Sequence, residues 1–136
     1  MGKILIVDDE AIASRALSKL LSHAGHDAVC VGDANHALNY LNAMRADLVV
    51  LDVMMPGMSG IELLRLMRDH PNLAGQRVVM WSADDNPATV SEARRLGAVG
   101  FLVKAKVQWP ELRKHIDACL SAPAESSAAG LWDTTR

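Results

Sequence analysis

The sequence predicts an α/β fold, a single compact domain in which helices cover both faces of a parallel sheet. Short, almost purely apolar runs rich in β-branched residues (residues 3–7, 48–51, 78–81 and 101–103) read as strands buried on both faces. Strand-like and helix-like segments alternate five times, as in βαβ units with right-handed crossovers. Polar residues stand where the apolar runs stop: Asp8 and Asp9, Asp52, Ser82 and Lys104. The ligand crevice of an open α/β sheet lies outside the carboxyl ends of its strands. Four strands should therefore deliver three carboxylates, a hydroxyl and an ammonium to one pocket.

Each element has a local reason. After Asp9, Ala13, Leu17, Leu20, Leu21 and Ala24 recur at helical spacing until Gly25 supplies a stop. Residues 28–31 form the second strand, and Asp33 is placed to cap a helix over residues 34–44 with Ala37, Leu38 and Leu41 inward. The third helix spans about residues 60–69, with Leu63, Leu64 and Met67 on its apolar side and His70-Pro71 at its end. The fourth covers residues 87–96 before Gly97. It is the poorest in large apolar residues and is expected to be the loosest. The fifth begins at Pro110, a favoured first helical position, and runs to Leu120. These elements make one domain over residues 1–120. The small and polar stretch of residues 121–136 reads as a flexible tail or linker stub, in which Leu131-Trp132 is an incidental apolar pair or a short docking motif.

Half of the 136 residues are hydrophobic, and 22% are charged, which suits a globular domain with a filled core. A net charge of −2 supplies no electrostatic drive toward nucleic acid or a membrane surface. Cys30 and Cys119 sit in apolar segments without metal-ligand spacing and read as small buried hydrophobes. The first apolar run is too short for a signal peptide, and no segment reaches transmembrane length, so a cytoplasmic location without membrane insertion is expected.

Three carboxylates in one crevice repel one another, so some must protonate or a cation must bind. Oxygen ligands without a His or Cys cluster point to a hard divalent ion, most simply Mg²⁺. A carboxylate beside such an ion can act as a nucleophile toward a phosphoryl group and form an acyl phosphate. A lysine then neutralises the equatorial oxygens, and a hydroxyl donates a hydrogen bond to one of them. Asp52, Lys104 and Ser82 fit these roles, with Asp8 and Asp9 holding the metal. An acidic pair by itself is as often a turn or cap; the weight lies in five matched groups at strand ends.

The segments 4–10 (ILIVDDE), 51–60 (LDVMMPGMSG), 81–83 (WSA) and 97–104 (GAVGFLVK) resemble, in that order, those of a response-regulator receiver domain, the phosphoacceptor module of two-component signalling. The resemblance covers about residues 3–120. It implies a flavodoxin-like (βα)5 sandwich with a five-stranded parallel sheet of order 2-1-3-4-5. It implies phosphoryl transfer to Asp52 from a sensor histidine kinase or a histidine phosphotransfer protein. Mg²⁺ would be bound directly by Asp9 and Asp52, by Asp8 mainly through water, and by the backbone carbonyl of Met54. Ser82 stands where threonine is more frequent, and Phe101 takes the switch-aromatic position, which turns inward as the hydroxyl residue approaches the phosphoryl group. Phosphorylation would alter binding of an effector protein of unknown identity through the face of the fourth helix, fifth strand and fifth helix. No direct nucleic-acid contact is implied. Such a chain is a switch with slow self-dephosphorylation, not a metabolic enzyme.

Two other readings stay open at this point. An aspartyl phosphohydrolase would place a second aspartate two residues after the nucleophile, where this chain has Met54. A degenerate receiver acting as a scaffold is disfavoured by the complete pocket. One position departs from the family pattern: Ala105 follows the lysine where many receivers have a cis proline. A cis bond before alanine costs about 3 kcal/mol, so a trans Lys104–Ala105 bond is expected. His23 and His26 are read as solvated or capping, Met55 as packing near the pocket mouth, and Arg94 and Arg95 as a solvated helix face.

Overall fold

A computed structural model of the chain describes residues 2–83 and 85–121. The elements alternate without exception: β1 (Lys3–Val7), α1 (Ala11–His23), β2 (Asp27–Val31), α2 (Ala34–Ala43), β3 (Leu48–Asp52), α3 (Gly60–Asp69), β4 (Val78–Ser82), α4 (Pro87–Arg95), β5 (Gly100–Val103) and α5 (Trp109–Ser121). All strand pairs are parallel, and the sheet order is β2-β1-β3-β4-β5. The flavodoxin-like arrangement expected from the sequence is the one observed. Ser121 closes α5, and the remainder of the expected tail, including Leu131-Trp132, lies outside the described residues.

Strand side chains alternate between two cores, as a period of two requires. Leu5, Val7, Val49, Leu51, Val78, Met80, Phe101 and Val103 pack toward α2, α3 and α4. Ile4, Ile6, Leu48, Val50, Val79 and Leu102 pack toward α1 and α5, against Leu17, Leu21, Leu112 and Ile116. Every residue of β3 is buried, because the central strand has neighbours on both edges and helices on both faces.

The helices start as their sequences direct. Asp33 caps α2 by accepting from His36 N, and Ser59 with Glu62 forms a reciprocal capping box at α3. Asn86 caps α4, whose first residue is Pro87. Ala93 is the only buried residue of α4, so that helix has the thinnest apolar seat, in line with its composition. Polar contacts add to that seat: Arg65 to Glu92 at 2.8 Å, and the Arg68 guanidinium to the carbonyls of Leu96 and Gly97.

Several readings of single residues need correction. Ala13 and Leu20 are exposed, and Ser14 takes the inward place beside Leu17 and Leu21, because residues 14, 17 and 21 follow the i, i+3, i+7 spacing of one helix face. His26 is not solvated, but it does cap α1: its backbone N–H donates to Leu21 O at 3.0 Å, past Gly25 at φ +94°. It is buried, accepts from Gly2 N through Nδ1 and meets Asp117 through Nε2 at 3.0 Å. Its partner comes from α5, far along the chain, so no local spacing announces it. Met55 lies in the α2–α3 core, and the exposed methionine beside the pocket is Met54. The Lys104–Ala105 bond is trans, since no cis peptide occurs among the described residues.

Candidate functional site

Register carries the polar residues to one place. Val7 of β1 pairs with Leu51 of β3, so Asp8 and Asp52 follow side by side at the carboxyl end of the sheet. Asp52 pairs with Trp81, which puts Ser82 one step beyond, and Ser82 pairs with Val103, which puts Lys104 one step beyond that. Asp8, Asp52 and Ser82 are buried, with at most 2% of their surface exposed.

Lys104 Nζ binds all sides of the cluster. It donates to Asp8 Oδ2 at 2.9 Å and Glu10 Oε1 at 3.4 Å, and lies 3.6 Å from Asp52 Oδ2. Asp8 Oδ1 accepts from Glu10 N, and Asp52 Oδ1 from Met54 N, so a backbone amide fixes the orientation of each buried carboxylate. Lys104 N donates to Ser82 O at 2.7 Å, which ties the loops after β4 and β5 together.

The turn after β3 is built around two glycines. Gly57 follows Pro56 with φ +77°, the left-handed conformation taken by the second central residue of a Pro-Gly turn. Gly60, the first residue of α3, donates to Val53 O at 2.9 Å. A Cβ there would stand 2.0 Å from the carbonyl oxygen of Asp52. The close approach of α3 to the backbone of Asp52 therefore requires glycine.

One ammonium among three carboxylates leaves the pocket short of positive charge. Burial, reinforced by the neighbouring Asp8 carboxyl, pushes the Asp52 carboxyl up to about 7, against the opposing pull of Lys104 and the Met54 amide. Burial opposes the charge on Lys104, but Asp8, Asp52 and Glu10 together hold its pKa above the ordinary lysine value. Ligand oxygens of Asp8, Glu10 and Asp52 lie within 4.8 Å of one another. An all-oxygen donor set with excess negative charge suits a hard divalent cation.

The structure thus gathers Asp8, Asp52, Ser82 and Lys104. Asp9 is exposed and does not belong to the acidic cluster found among the described residues; Glu10 does. Glu10 is the N-cap residue of α1 but makes no capping bond with its side chain, which turns to Lys104 instead. The signal for it was the period of two: residues two apart on extended chain share a side, and Glu10 is extended. Phe101 is fully buried in the α2–α3–α4 core, already inward. Met54 is 65% exposed at the rim.

The family model for the response regulator receiver domain matches residues 4–117. Among curated relatives, the chain is 35% identical over 102 residues to the DNA-binding response regulator MtrA of Mycobacterium tuberculosis, covering 75% of this chain and 43% of that protein. The chain spans less than half the length of such relatives, and only 18% of the response regulator-like protein PRR37 of rice. Among solved structures, the chemotaxis protein CheY4 of Vibrio cholerae superposes with a TM-score of 0.80 at 28% identity, covering 88% of this chain and 98% of that one. The response regulator TrrA of Thermotoga maritima, solved in complex with Mg²⁺-BeF, gives 0.76 at 25% identity, over 88% of this chain and 99% of that one.

Proposed function

The chain belongs to the response regulator receiver domain family of two-component signalling, and from that premise we propose that Asp52 accepts a phosphoryl group from a phosphohistidine of a sensor histidine kinase or histidine phosphotransfer protein. The observation that carries the reading is the buried Asp52 carboxylate at the end of the central strand, 3.6 Å from Lys104 Nζ and beside buried Asp8 and Ser82.

In the transfer, an Asp52 carboxylate oxygen attacks phosphorus as the phosphorus–nitrogen bond to the donor histidine breaks, and the imidazole leaves with the bonding electron pair. Lys104 moves its ammonium onto a phosphoryl oxygen, and the Ser82 hydroxyl donates to another. The Met54 amide keeps the attacking carboxylate aimed. Asp8, Asp52 and the Met54 carbonyl are proposed to hold Mg²⁺, which would neutralise charge on the carboxylates and phosphoryl oxygens. The resemblance gives the remaining carboxylate to Asp9, while the acidic cluster favours Glu10. Titration of Mg²⁺ into Asp9→Ala and Glu10→Ala separates the two, since the true ligand's loss weakens affinity about tenfold or more and the other's leaves it within about threefold.

Return to the resting state needs only water attacking phosphorus with the Asp52 carboxylate leaving, so slow self-dephosphorylation is part of the proposal. The output is proposed to pass through Phe101 and the α4–β5–α5 face to an effector protein, without direct contact to nucleic acid. Support comes from the thin apolar seat of α4, which leaves that helix the cheapest element to displace.

Incubation with acetyl phosphate and Mg²⁺ should add one phosphoryl group, and Asp52→Asn should take none. Label retained on Asp52→Asn would remove the assignment.

A further inference from the structure

We propose that Trp81 is a positioning residue for Lys104, holding the ammonium over the acidic pocket with the face of its indole ring. The proposal rests on the phosphoacceptor reading above, because Lys104 is the group there assigned to the phosphoryl oxygens.

Lys104 Nζ lies 5.8 Å from the centroid of the Trp81 ring, inside the range at which the ring quadrupole attracts a cation. Trp81 is in register with Asp52 on one side and Leu102 on the other, so its backbone lies one residue before Ser82 and beside the acceptor. Its side chain packs against the α1–α5 core and is half-buried, which restricts its rotamer. Lys104 needs such a fixture because its four-carbon stem is flexible. The carboxylates alone draw the ammonium in different directions: the Asp8 side chain is fully buried, whereas that of Glu10 is 66% exposed. An attractive wall on the sheet side keeps the ammonium from following Glu10 into solvent. Attraction to a ring face also tolerates lateral movement better than a linear hydrogen bond does. Lys104 can therefore slide from Asp8 to an incoming phosphoryl oxygen without leaving Trp81.

The test has one arm without metal and one with it. In metal-free protein, the ε-methylene resonances of Lys104 should be shifted upfield of those of the other lysines by the ring current. Trp81→Leu should return them to the ordinary position, and Trp81→Phe should keep most of the shift. With acetyl phosphate and Mg²⁺, Trp81→Leu should slow phosphorylation about fivefold, while Trp81→Phe stays within about twofold of the unaltered chain. In a Lys104→Ala background, Trp81→Leu should cause no further loss, since the coupling partner is gone. Equal loss in both backgrounds, or Lys104 resonances at the ordinary position, would overturn the proposal. Failure of the unaltered chain to take label would instead remove the phosphoacceptor reading, leaving the resonance measurement to decide the Trp81–Lys104 contact.

Discussion

Arg68, below the amino ends of β4 and β5, and Asp52, at the carboxyl end of β3, are charged side chains drawn away from water, and their surroundings answer them differently. The Arg68 guanidinium donates to four backbone carbonyls: Leu96 O at 2.6 Å, Gln76 O at 2.8 Å, Ala74 O at 2.9 Å and Gly97 O at 3.3 Å. Burial lowers its pKa, and no carboxylate pairs with it among the described residues. The charge is nonetheless solvated, by dipoles that are part of the fold. Asp52 meets the opposite situation, sharing one lysine with two other carboxylates. Dipoles already in place turn Arg68 into a structural clamp. The deficit around Asp52 destabilises the pocket itself and would favour an added positive charge there.

The largest expected effect tests the clamp. Arg68→Ala leaves four carbonyls without their donor and releases the α4–β5 turn from the loop before β4, which should cost about 3 kcal/mol. Arg68→Lys should recover little, because an ammonium cannot reproduce the planar fork. Urea unfolding measures both. Acetyl phosphate should still label the folded fraction, because the clamp is at the far end of the sheet. An unchanged unfolding midpoint in Arg68→Ala would break the comparison, leaving the arginine a bystander.

At the other end, the backbone sets the tolerance. Gly60→Ala forces a methyl group to within 2.0 Å of the Asp52 carbonyl oxygen unless α3 or β3 moves. The expected cost is roughly 2–3 kcal/mol. Unlike the Arg68 change, it should also slow phosphorylation, because the displaced backbone is that of the acceptor. Normal labelling kinetics in a destabilised Gly60→Ala protein would show that the approach of α3 serves stability alone.

The two ends also differ in how far the sequence discloses them. The carboxyl end is legible because each polar residue directly follows an apolar strand, and parallel strands place their ends together. The sequence alone therefore gathers Asp8, Asp52, Ser82 and Lys104. Glu10 is less legible because adjacency pairs Asp8 with Asp9, whereas the extended backbone puts every second residue on one side. The amino end is opaque. Arg68 makes its bonds to backbone carbonyls, and every residue type has one, so no pattern of side chains could point to it. His26 and Asp117 are hidden for a related reason, since their contact depends on how α5 lies across β1 and not on local spacing. Met55 packs as read, but that Met54 is the methionine left exposed could not be read in advance, because a turn, unlike a strand, has no fixed period from which to read direction.

The smallest expected effect is the most specific to the charge deficit. In the folded chain the Asp52 carboxyl is pushed up from 3.8 to about 7, chiefly by burial, so between these values the folded state holds a proton that the unfolded state releases. Folding then takes up a proton, and stability must fall as pH rises through that window. The contribution is fully present below about pH 4 and lost above about pH 7. His115 works against it, because burial lowers its pKa, so charging it as pH falls below the ordinary histidine value disfavours the fold. The difference between the unaltered chain and Asp52→Asn cancels that background. In metal-free buffer, Asp52→Asn should be the more stable by about 1–2 kcal/mol at pH 8, and the gap should shrink toward pH 4. Added Mg²⁺ should stabilise the unaltered chain and close the gap at pH 8, and it should bind less tightly as the pH falls and protons compete for the site. Urea unfolding of both proteins at pH 5 and pH 8, with chelator and with Mg²⁺, measures every part of this. If the gap does not change with pH, the carboxylates at the end of the sheet are as well satisfied as Arg68, and the contrast between the two ends disappears.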